Sequence, residues 1–151
     1  MSELRFLSPA LAAAGYRSPL ERALAGSDLR DLSGLGKVEV RRALGVAVDG
    51  EVVRIAPNRA LVLCEAAAAP ALAAQLGAVD VSAALAGLAL RGEQLLRRLT
   101  DLDLDSLPAV GSVAGVQCTV IRAGDEFRLF FAQEYADHVA AVVLDAVEGI
   151  R

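Results

Sequence analysis

Two stretches of the sequence decide the fold: NRALVLCEAAAAPALAAQL at residues 58–76 and DEFRLFFAQEYADHVAAVV at residues 125–143. Each has a polar turn, then a short apolar run typical of a buried strand, then the spacing of an amphipathic helix. The second stretch begins 67 residues after the first. A second pair of similar motifs, DLS at Asp31 and DVS at Asp80, is separated by 49 residues. The order of these elements predicts an internal repeat of strand–helix units.

The repeat predicts a single domain over residues 1–151, with halves at about 31–76 and 80–147. The second half is longer by 18 residues, the difference between the two offsets, and the segment at about 92–109 supplies that length. Two such halves, paired through antiparallel strands with helices packed on the sheet, make an α+β domain. Residues 1–17 are expected to be a loosely ordered N-terminal segment.

The first half opens with a predicted helix and a predicted hairpin. SPLERALAG at residues 18–26 has Ser18 as N-cap, a proline in the first helical position and Gly26 at its end. Asp49-Gly50 is a type I′ hairpin signal, expected to join LGVAV to EVVRIA. A second turn is expected at Pro57-Asn58.

Two strands and a helix complete the first half. Residues 31–42 predict one half-buried strand, with Val38 and Val40 on one face and charged residues on the other. RALVLC, directly after the second turn, predicts a buried strand. A helix is expected from Pro70 to Leu76, where Gly77 ends it.

The second half predicts a strand over residues 80–92, a helix over 92–99 and a hairpin turning at 123–125. The first of its helices presents an apolar face of Leu95, Leu96 and Leu99. A closing helix ends at Gly149 and carries an apolar stripe of Tyr135, Val139, Val142, Val143 and Ala146.

Composition excludes several classes of protein. Apolar residues make up 55% of the chain and charged residues 23%, which is enough for a packed core and excludes a disordered chain. The mean hydropathy of +0.47 is high, and either an exposed partner interface or the abundance of alanine explains it. The net charge is −4 and no basic cluster exceeds an arginine pair, which argues against nucleic-acid binding.

The sequence also argues against membrane insertion and export. The longest uncharged run, residues 66–79, is shorter than the roughly 20 residues that span a bilayer. Glu3 and Pro9 spoil the pattern of a signal peptide. Cys64 and Cys118 lie in apolar, strand-like segments and are expected to be buried thiols, as in the reducing cytoplasm. We therefore expect a cytoplasmic protein.

Three alternating carboxylates, Asp101, Asp103 and Asp105, are the most conspicuous candidate for a metal site. A calcium loop that starts at Asp101 needs Gly at its sixth position and Glu at its twelfth, and serines stand at both. We therefore expect a solvated loop whose leucines turn inward. Those leucines are Leu102, Leu104 and Leu107.

The remaining chemistry-bearing residues suggest no active site. His138 is the only histidine, and no Cys, His or Asp cluster accompanies it at a metal-binding or catalytic spacing. No glycine-rich phosphate loop is present. We expect no catalytic and no metal-binding residues, and the sequence does not indicate which residues would bind a cofactor. This favours a binding or assembly role.

A series of short motifs resembles one protein family. They are the D-V-S at residues 80–82, Arg91-Gly92, the Leu-Asp-Leu at residues 102–104, Pro108 with Gly111, Gly124-Asp125 and Tyr135-Ala136, with SPLERAL and RIAPNRALVLCE in the first half. In this order they resemble the gamma subunit of heterotetrameric sarcosine oxidase. More broadly they resemble the folate-binding domain of the aminomethyltransferases, the glycine-cleavage T-proteins.

The resemblance implies two ferredoxin-like halves related by a pseudo-twofold axis. It implies a non-catalytic subunit of a sarcosine-oxidase-like complex, with flavins and NAD carried by flavoprotein subunits, acting in sarcosine demethylation and tetrahydrofolate-linked one-carbon metabolism. The alternative is a stand-alone folate-binding or aminomethyltransferase-like protein, with tetrahydrofolate as the ligand. A homo-oligomer is the alternative to assembly with flavoprotein subunits. The T-protein's catalytic aspartate has no counterpart here, because the matching residues 111–122 contain no acidic residue.

Overall fold

The computed structural model of the chain describes residues 17–151. In chain order its strands and α-helices are β1 Arg30–Asp31, β2 Gly36–Val40, β3 Glu51–Ala56, β4 Arg59–Cys64, α1 Ala69–Leu76, β5 Val79–Asp80, β6 Leu85–Arg91, α2 Glu93–Arg97, β7 Ala109–Val113, β8 Val116–Ala123, β9 Glu126–Ala132 and α3 Ala136–Glu148. Short 3₁₀ turns precede α1 and α3, and another lies at Leu104–Ser106.

The strands form two antiparallel sheets that pack face to face. Sheet A has the order β1-β6-β9-β8-β7, and sheet B has the order β3-β4-β2-β5. Helix α3 covers one face of sheet A, and α1 covers one face of sheet B. The other faces meet in a shared core of Val53, Leu61 and Leu63 from sheet B with Ile121 and Phe130 from sheet A. The predicted α+β class is confirmed, as a four-layer arrangement of helix, sheet, sheet and helix.

Each sheet takes its edge strand from the other half of the chain. Strand β1 joins sheet A, where Asp31 pairs with Leu88, and β5 pairs with β2, where Asp80 lies opposite Val38. Each sheet therefore contains a four-strand order of the ferredoxin-like kind. Strands β4 and β9 have matching registers. Val62 of β4 lies opposite Val38 of β2, and Leu129 of β9, which is 67 positions later, lies opposite Leu88 of β6. We propose that the chain is one domain with repeats at about 31–76 and 80–147.

The two strands predicted over residues 31–42 and 80–92 are each divided. Residues 32–35 and 81–84 leave one sheet and enter the other, so each prediction covered the end of one strand and the start of another. The prediction that the charged face of β2 meets water was also wrong, because Lys37 is fully buried.

The hairpin predicted at Asp49-Gly50 is wrong. Strand β4 pairs with both β2 and β3, and β5 occupies the other edge of β2. Residues 41–50 contain no strand. Leu44 instead packs into the core beneath α1, and the Arg54 guanidinium donates to its carbonyl at 3.0 Å. This segment is therefore held by burial of the Leu44 side chain and not by pairing as a strand.

The helix predicted over residues 18–26 is a series of turns instead. Ser18 still acts as a cap, since its Oγ accepts from the amide of Leu20 at 3.1 Å. Gly26 has a φ of 76°, as expected at the end of a helix-like turn. Most of the predicted N-terminal segment, residues 1–16, lies outside the described residues.

Locally encoded elements agree with the sequence. Strand β4, the turn at Pro57-Asn58, helix α1, helix α2 and the β8–β9 hairpin are confirmed. Gly77 takes the left-handed conformation that ends α1, with φ 59° and ψ 38°. The stripe on α3 is confirmed at Val139 and Val143, but Tyr135 precedes the helix and is exposed.

Strand β7 was not predicted. It pairs with β8 through a two-residue turn, in which Ala114 and Gly115 have φ of 53° and 78°. Positive φ at both residues is what a type I′ turn requires, and such turns fit the twist of a hairpin. The sequence gives a weak signal here because alanine replaces the usual Asn or Asp.

Candidate functional site

The two crossings between the sheets have the same local structure. In the first, the amide of Ser33 donates to the Asp31 carboxylate at 2.9 Å, and in the second the amide of Ser82 donates to Asp80 at 3.0 Å. These Asx turns redirect the chain at the end of each short edge strand. The DLS and DVS motifs are therefore the two bends by which the chain passes between sheets.

The crossings exchange hydrogen bonds with each other's strands. Leu32 N–H donates to the carbonyl of Gly87 at 2.8 Å, and Val81 N–H donates to the carbonyl of Lys37 at 2.9 Å. In return, the amides of Gly87 and Lys37 donate to the serine hydroxyls of the opposite crossing, at 3.1 Å and 2.8 Å. The reciprocal pattern places Lys37 and Gly87 at equivalent positions around the pseudo-twofold axis.

Lys37 lies at the centre of this arrangement. It is the only lysine in the sequence and has no solvent exposure. Its Nζ donates to the carbonyls of Ser33 at 2.7 Å and Ser82 at 3.1 Å, one from each crossing. Burial lowers the pKa of Lys37 to about 8, although the carboxylates of Asp31 and Asp80 act in the other direction.

The equivalent position across the axis has no room for a side chain. A Cβ on Gly87 would lie 2.7 Å from the ring of Phe130 and 3.0 Å from the Cβ of Leu32. Of these two equivalent positions only Lys37 carries a side chain, and the symmetry of the halves is broken there.

Two open grooves are lined by residues of both sheets. The neutral groove, of about 430 Å³, is lined by Ile55, Leu61, Val81, Leu85, Thr119 and Phe130. The charged groove, of about 440 Å³, is lined by Arg30, Leu32, Leu35, Glu51, Leu63 and Arg128. The repeat relates them, because Val81, Leu85 and Phe130 are the counterparts of Leu32, Leu35 and Leu63.

Ion pairs bridge the charged groove. The Arg128 guanidinium of sheet A donates to the Glu51 carboxylate of sheet B at 2.8 Å, and it also lies 3.4 Å from Glu126. Arg30 pairs with the same Glu126 at 2.7 Å. These ion pairs form a network across the mouth of the groove that links the two sheets.

The neutral groove has uncharged residues at the bridging positions. Leu61 is the counterpart of Arg128. Leu61 lies opposite Val53 of β3, and Arg128 lies opposite Ile121 of β8. Val53 and Ile121 both belong to the core between the sheets. Thr119 is the counterpart of Glu51, because Thr119 lies opposite Phe130, Glu51 lies opposite Leu63, and Phe130 and Leu63 are themselves counterparts. The charged residues that line the neutral groove are Glu39 and Arg59. Both belong to sheet B, and their side chains pair with each other at 3.1 Å.

The acidic loop behaves as the sequence predicts. Asp101, Asp103 and Asp105 are exposed, while Leu104 is buried and the other two leucines are partly buried. Asp103 accepts from the amide of Asp105 and the hydroxyl of Ser106, and these bonds lower the pKa of its carboxyl group. The loop lines neither groove.

His138 and the cysteines are separated from one another. The exposed His138 donates from Nε2 to the carbonyl of Ala114 at 2.9 Å, which ties α3 to the β7–β8 turn. Cys118 is buried as predicted, whereas Cys64 is only partly buried, and both are free thiols. Burial raises the pKa of Cys118 to about 12 and also raises that of Cys64.

Within residues 17–151, no group of three His, Cys, Asp or Glu side chains is arranged to hold a metal ion. Over the same range, no helix is long and apolar enough to cross a membrane. The most unusual residue, Lys37, was not identified from the sequence. Its one usable signal was that it is the single lysine of the sequence and lies within a predicted strand.

Comparison with known proteins supports the fold. No family model and no curated protein matches the chain. A chain of the heterotetrameric sarcosine oxidase from Corynebacterium sp. U-96, solved in complex with pyrrole 2-carboxylate, matches with a TM-score of 0.72 and 19% identity, covering 89% of this chain and 95% of that chain. The two chains share a fold, which is the one that the sequence motifs implied.

A second match, to the aspartokinase alpha and beta subunits, has a TM-score of 0.46 and 12% identity. It covers 87% of this chain and 98% of that chain. At this TM-score the likeness does not establish a shared fold.

Proposed function

We propose that this protein is a non-catalytic subunit of a sarcosine-oxidase-like complex, acting in sarcosine demethylation and tetrahydrofolate-linked one-carbon metabolism. The observation that carries the proposal is the shared fold over 89% of this chain with a chain of a heterotetrameric sarcosine oxidase. Because one fold can serve many functions, the sequence motifs supply independent support.

The chemistry of the described residues supports a structural role. The most perturbed amine, Lys37, is sealed between the sheets, and the thiol of Cys118 is buried and protonated at neutral pH. Neither group can reach a substrate in this conformation. In the proposed complex, partner flavoprotein subunits carry the flavins and NAD. The free thiols support a cytoplasmic location, where disulfides seldom form.

Reconstitution tests this proposal. The tagged chain is co-expressed with the flavoprotein subunits of a heterotetrameric sarcosine oxidase, and the purified material is measured for flavin absorbance and sarcosine oxidation. We expect the chain and flavin to elute together, with less stable or less active flavoprotein when the chain is omitted. A chain that elutes alone at 15.7 kDa, beside a fully active flavoprotein, would contradict the proposal.

A stand-alone folate-binding or aminomethyltransferase-like protein is the second candidate. The neutral groove favours it, since its volume of about 430 Å³ and the partly exposed ring of Tyr135 suit a planar ligand. Calorimetric titration of the isolated chain with tetrahydrofolate tests this directly. Heat of binding would support the candidate, and no heat at millimolar ligand would end it. Sedimentation of the same sample distinguishes a homo-oligomer.

A further inference from the structure

We propose that the Lys37 amine acts as a proton-dependent latch between the two sheets. When uncharged, the amine holds both crossings together, and its protonation weakens this closure so that the sheets separate transiently at their shared core. The latch belongs to this chain alone, so it does not depend on which complex the chain joins.

The Lys37 amine has two hydrogen-bond acceptors and no counter-ion. Its Nζ donates to the Ser33 carbonyl at 2.7 Å and to the Ser82 carbonyl at 3.1 Å. Among the ion pairs of residues 17–151, none includes Lys37. An uncharged amine has two N–H donors, which match the two carbonyls, whereas an ammonium has three and carries a charge that burial disfavours. The contacts of the closed form therefore suit the uncharged amine.

Nearby charges do not cancel this preference. The carboxylates of Asp31 and Asp80, one from each crossing, attract the ammonium, but burial has the larger effect and lowers the pKa of Lys37 to about 8. Residues 85–90 of the facing strand β6 contain no charged residue. Charged side chains on β2, β3, β4 and β9 are in ion pairs: Glu39 with Arg41 and Arg59, Glu51 with Arg128, and Glu126 with Arg30 and Arg128.

Each sheet also has a hydrophobic core of its own. Helix α3 packs on sheet A in one cluster of buried residues, and α1 packs on sheet B in another. The core between the sheets is smaller than either, with five buried residues: Val53, Leu61, Leu63, Ile121 and Phe130. Separation at this small core leaves both helix–sheet cores intact, as expected for a local opening that costs less than global unfolding.

The crossings supply the hydrogen bonds that break when the sheets separate. The amides of Leu32, Lys37, Val81 and Gly87 donate between one crossing and the strand beside the other, at 2.8–3.1 Å. The Lys37 Nζ contacts a carbonyl of each crossing, so separation removes at least one of its acceptors and admits water to the amine. Opening of the interface and uptake of a proton are therefore linked.

Burial fixes the direction of this linkage. The pKa of Lys37 is about 8 in the closed form, and an amine in water has the ordinary lysine value of 10.5. Between these values, opening takes up one proton from the solvent and closing releases it. The closed form therefore becomes more stable as the pH rises from about 8 to 10.5. Well below pH 8 the amine is charged in both forms, and the closure is at its weakest.

Amide hydrogen exchange of the ¹⁵N-labelled full chain tests the latch. Exchange is measured from pH 7 to pH 9, and the rates are corrected for the intrinsic pH dependence of exchange. We expect the opening constant at the amides of Leu32, Lys37, Val81 and Gly87 to fall about tenfold over this range. In Lys37→Met the fall at the other three residues should be less than about twofold. Equal pH dependence in the two proteins would overturn the proposal.

Amides inside each half distinguish local opening from global unfolding. Val62 lies in the middle strand pairing of sheet B, and Val143 is buried in α3. At pH 7 we expect the crossing amides to exchange at least about tenfold faster than these two. Crossing amides that are protected as strongly as Val62 and Val143 would show that the sheets separate only when the whole chain unfolds, and this would overturn the proposal.

A control variant separates the latch from a general weakening of the interface. Glu51→Gln removes the ion pair between Glu51 and Arg128, which also joins the sheets, and leaves the amine untouched. We expect faster exchange at the crossing amides with the same pH dependence as in the wild type. Loss of the pH dependence in Glu51→Gln would overturn the assignment to Lys37.

A direct titration of the wild type avoids any effect of substitution on folding. Because Lys37 is the only lysine in the sequence, labelling with ¹³C,¹⁵N-lysine produces a single side-chain NMR signal. We expect this signal to titrate with a midpoint near pH 8 in the folded chain. A midpoint near 10.5 would show that the amine lies in water, and this would overturn the proposal.

Discussion

The neutral groove and the charged groove occupy equivalent places in the two halves, yet only the charged one is closed by a bridge between sheets. Two counterpart pairs account for the difference, Leu61 with Arg128 and Thr119 with Glu51. Their backbones hold matching registers, although β8, which carries Thr119, also pairs with β7, whereas β3, which carries Glu51, is an edge strand. A repeated fold can thus keep its frame while one copy of a site closes on itself and the other stays available.

The centre of the interface shows the same separation between frame and side chain. Lys37 and Gly87 exchange equivalent backbone hydrogen bonds, but one bears the longest buried side chain in the interface and the other bears none. Space explains this, because Phe130 occupies the volume into which a second side chain would project. The following predictions test how far each half depends on its own side chains.

Phe130→Ala should produce the largest effect. The ring is almost fully buried between the sheets and packs beside Gly87, so its removal leaves a cavity at the centre of the interface. We expect the free energy of unfolding to fall by about 3–5 kcal/mol in urea titrations. Its counterpart Leu63→Ala should cost about 2–5 kcal/mol. A loss below about 1 kcal/mol for Phe130→Ala would show that the sheets do not depend on this contact.

Replacing Lys37 should change how stability depends on pH. The pKa of Lys37 is about 8 in the folded chain and near the ordinary lysine value of 10.5 when unfolded, so the unfolded chain binds more protons between these values. Stability of the wild type should therefore rise from about pH 8 to 10.5, relative to Lys37→Met, by on the order of 3 kcal/mol. Below pH 8 the buried charge destabilises the fold, and the variant should be as stable as the wild type or more so.

Urea titrations of both proteins at pH 7, 8, 9 and 10 provide the measurement. Parallel pH profiles for wild type and Lys37→Met would show that the amine is not held in the sealed, carbonyl-lined environment described above.

Gly87→Ala should be less costly than the loss of the phenylalanine. The new methyl group would meet the ring of Phe130 at 2.7 Å, and such overpacking typically costs about 1–3 kcal/mol. Gly34, in the crossing at residues 32–35, has open space at the Cβ position and provides the control. Chemical denaturation should show a clear loss for Gly87→Ala and little change for Gly34→Ala. Equal effects would mean that the centre has room for two side chains.

The ion bridge of the charged groove should contribute little to stability. Glu51 is 52% exposed at its side chain and Arg128 is 22% exposed, so solvent screens their interaction. A double-mutant cycle with Arg128→Leu and Glu51→Thr should give a coupling of about 0.2–1 kcal/mol, smaller at high salt. A coupling that salt leaves unchanged would indicate a drier site than the exposures suggest.

The acidic loop should have the smallest effect of all. Replacing Asp101, Asp103 and Asp105 with Asn leaves the buried Leu104 in place, and the loop lies outside both grooves. We expect unchanged affinity for the flavoprotein subunits and an unchanged thermal midpoint. Weaker association of the triple variant would point to a role for these carboxylates in assembly.

Local patterns predicted the elements whose stability is largely local. The strand β4, the glycine-terminated α1 and the β8–β9 hairpin follow from apolar runs bounded by turn residues. The inward leucines of the acidic loop were predicted correctly for the same reason. The alternation of β2 was also recognised, with Val38 and Val40 beneath α1.

Features that depend on distant partners were not predictable in this way. Alternation placed Lys37 on the face opposite Val38, and the sequence gives no sign that a second sheet covers that face. The crossings at residues 32–35 and 81–84 resemble strand interiors because their apolar residues fill the interface core. The grooves arise only when residues from both sheets come together, so no single segment could indicate them.

The exchange of edge strands has a consequence for the newly made chain. Sheet B is complete once residues 36–80 have been synthesised, whereas β1 has no partner until β6 follows it. All four strands of sheet B thus lie within 45 consecutive residues, whereas the five strands of sheet A extend from residue 30 to residue 132. Sheet A can therefore be completed only after nearly the whole chain has been synthesised.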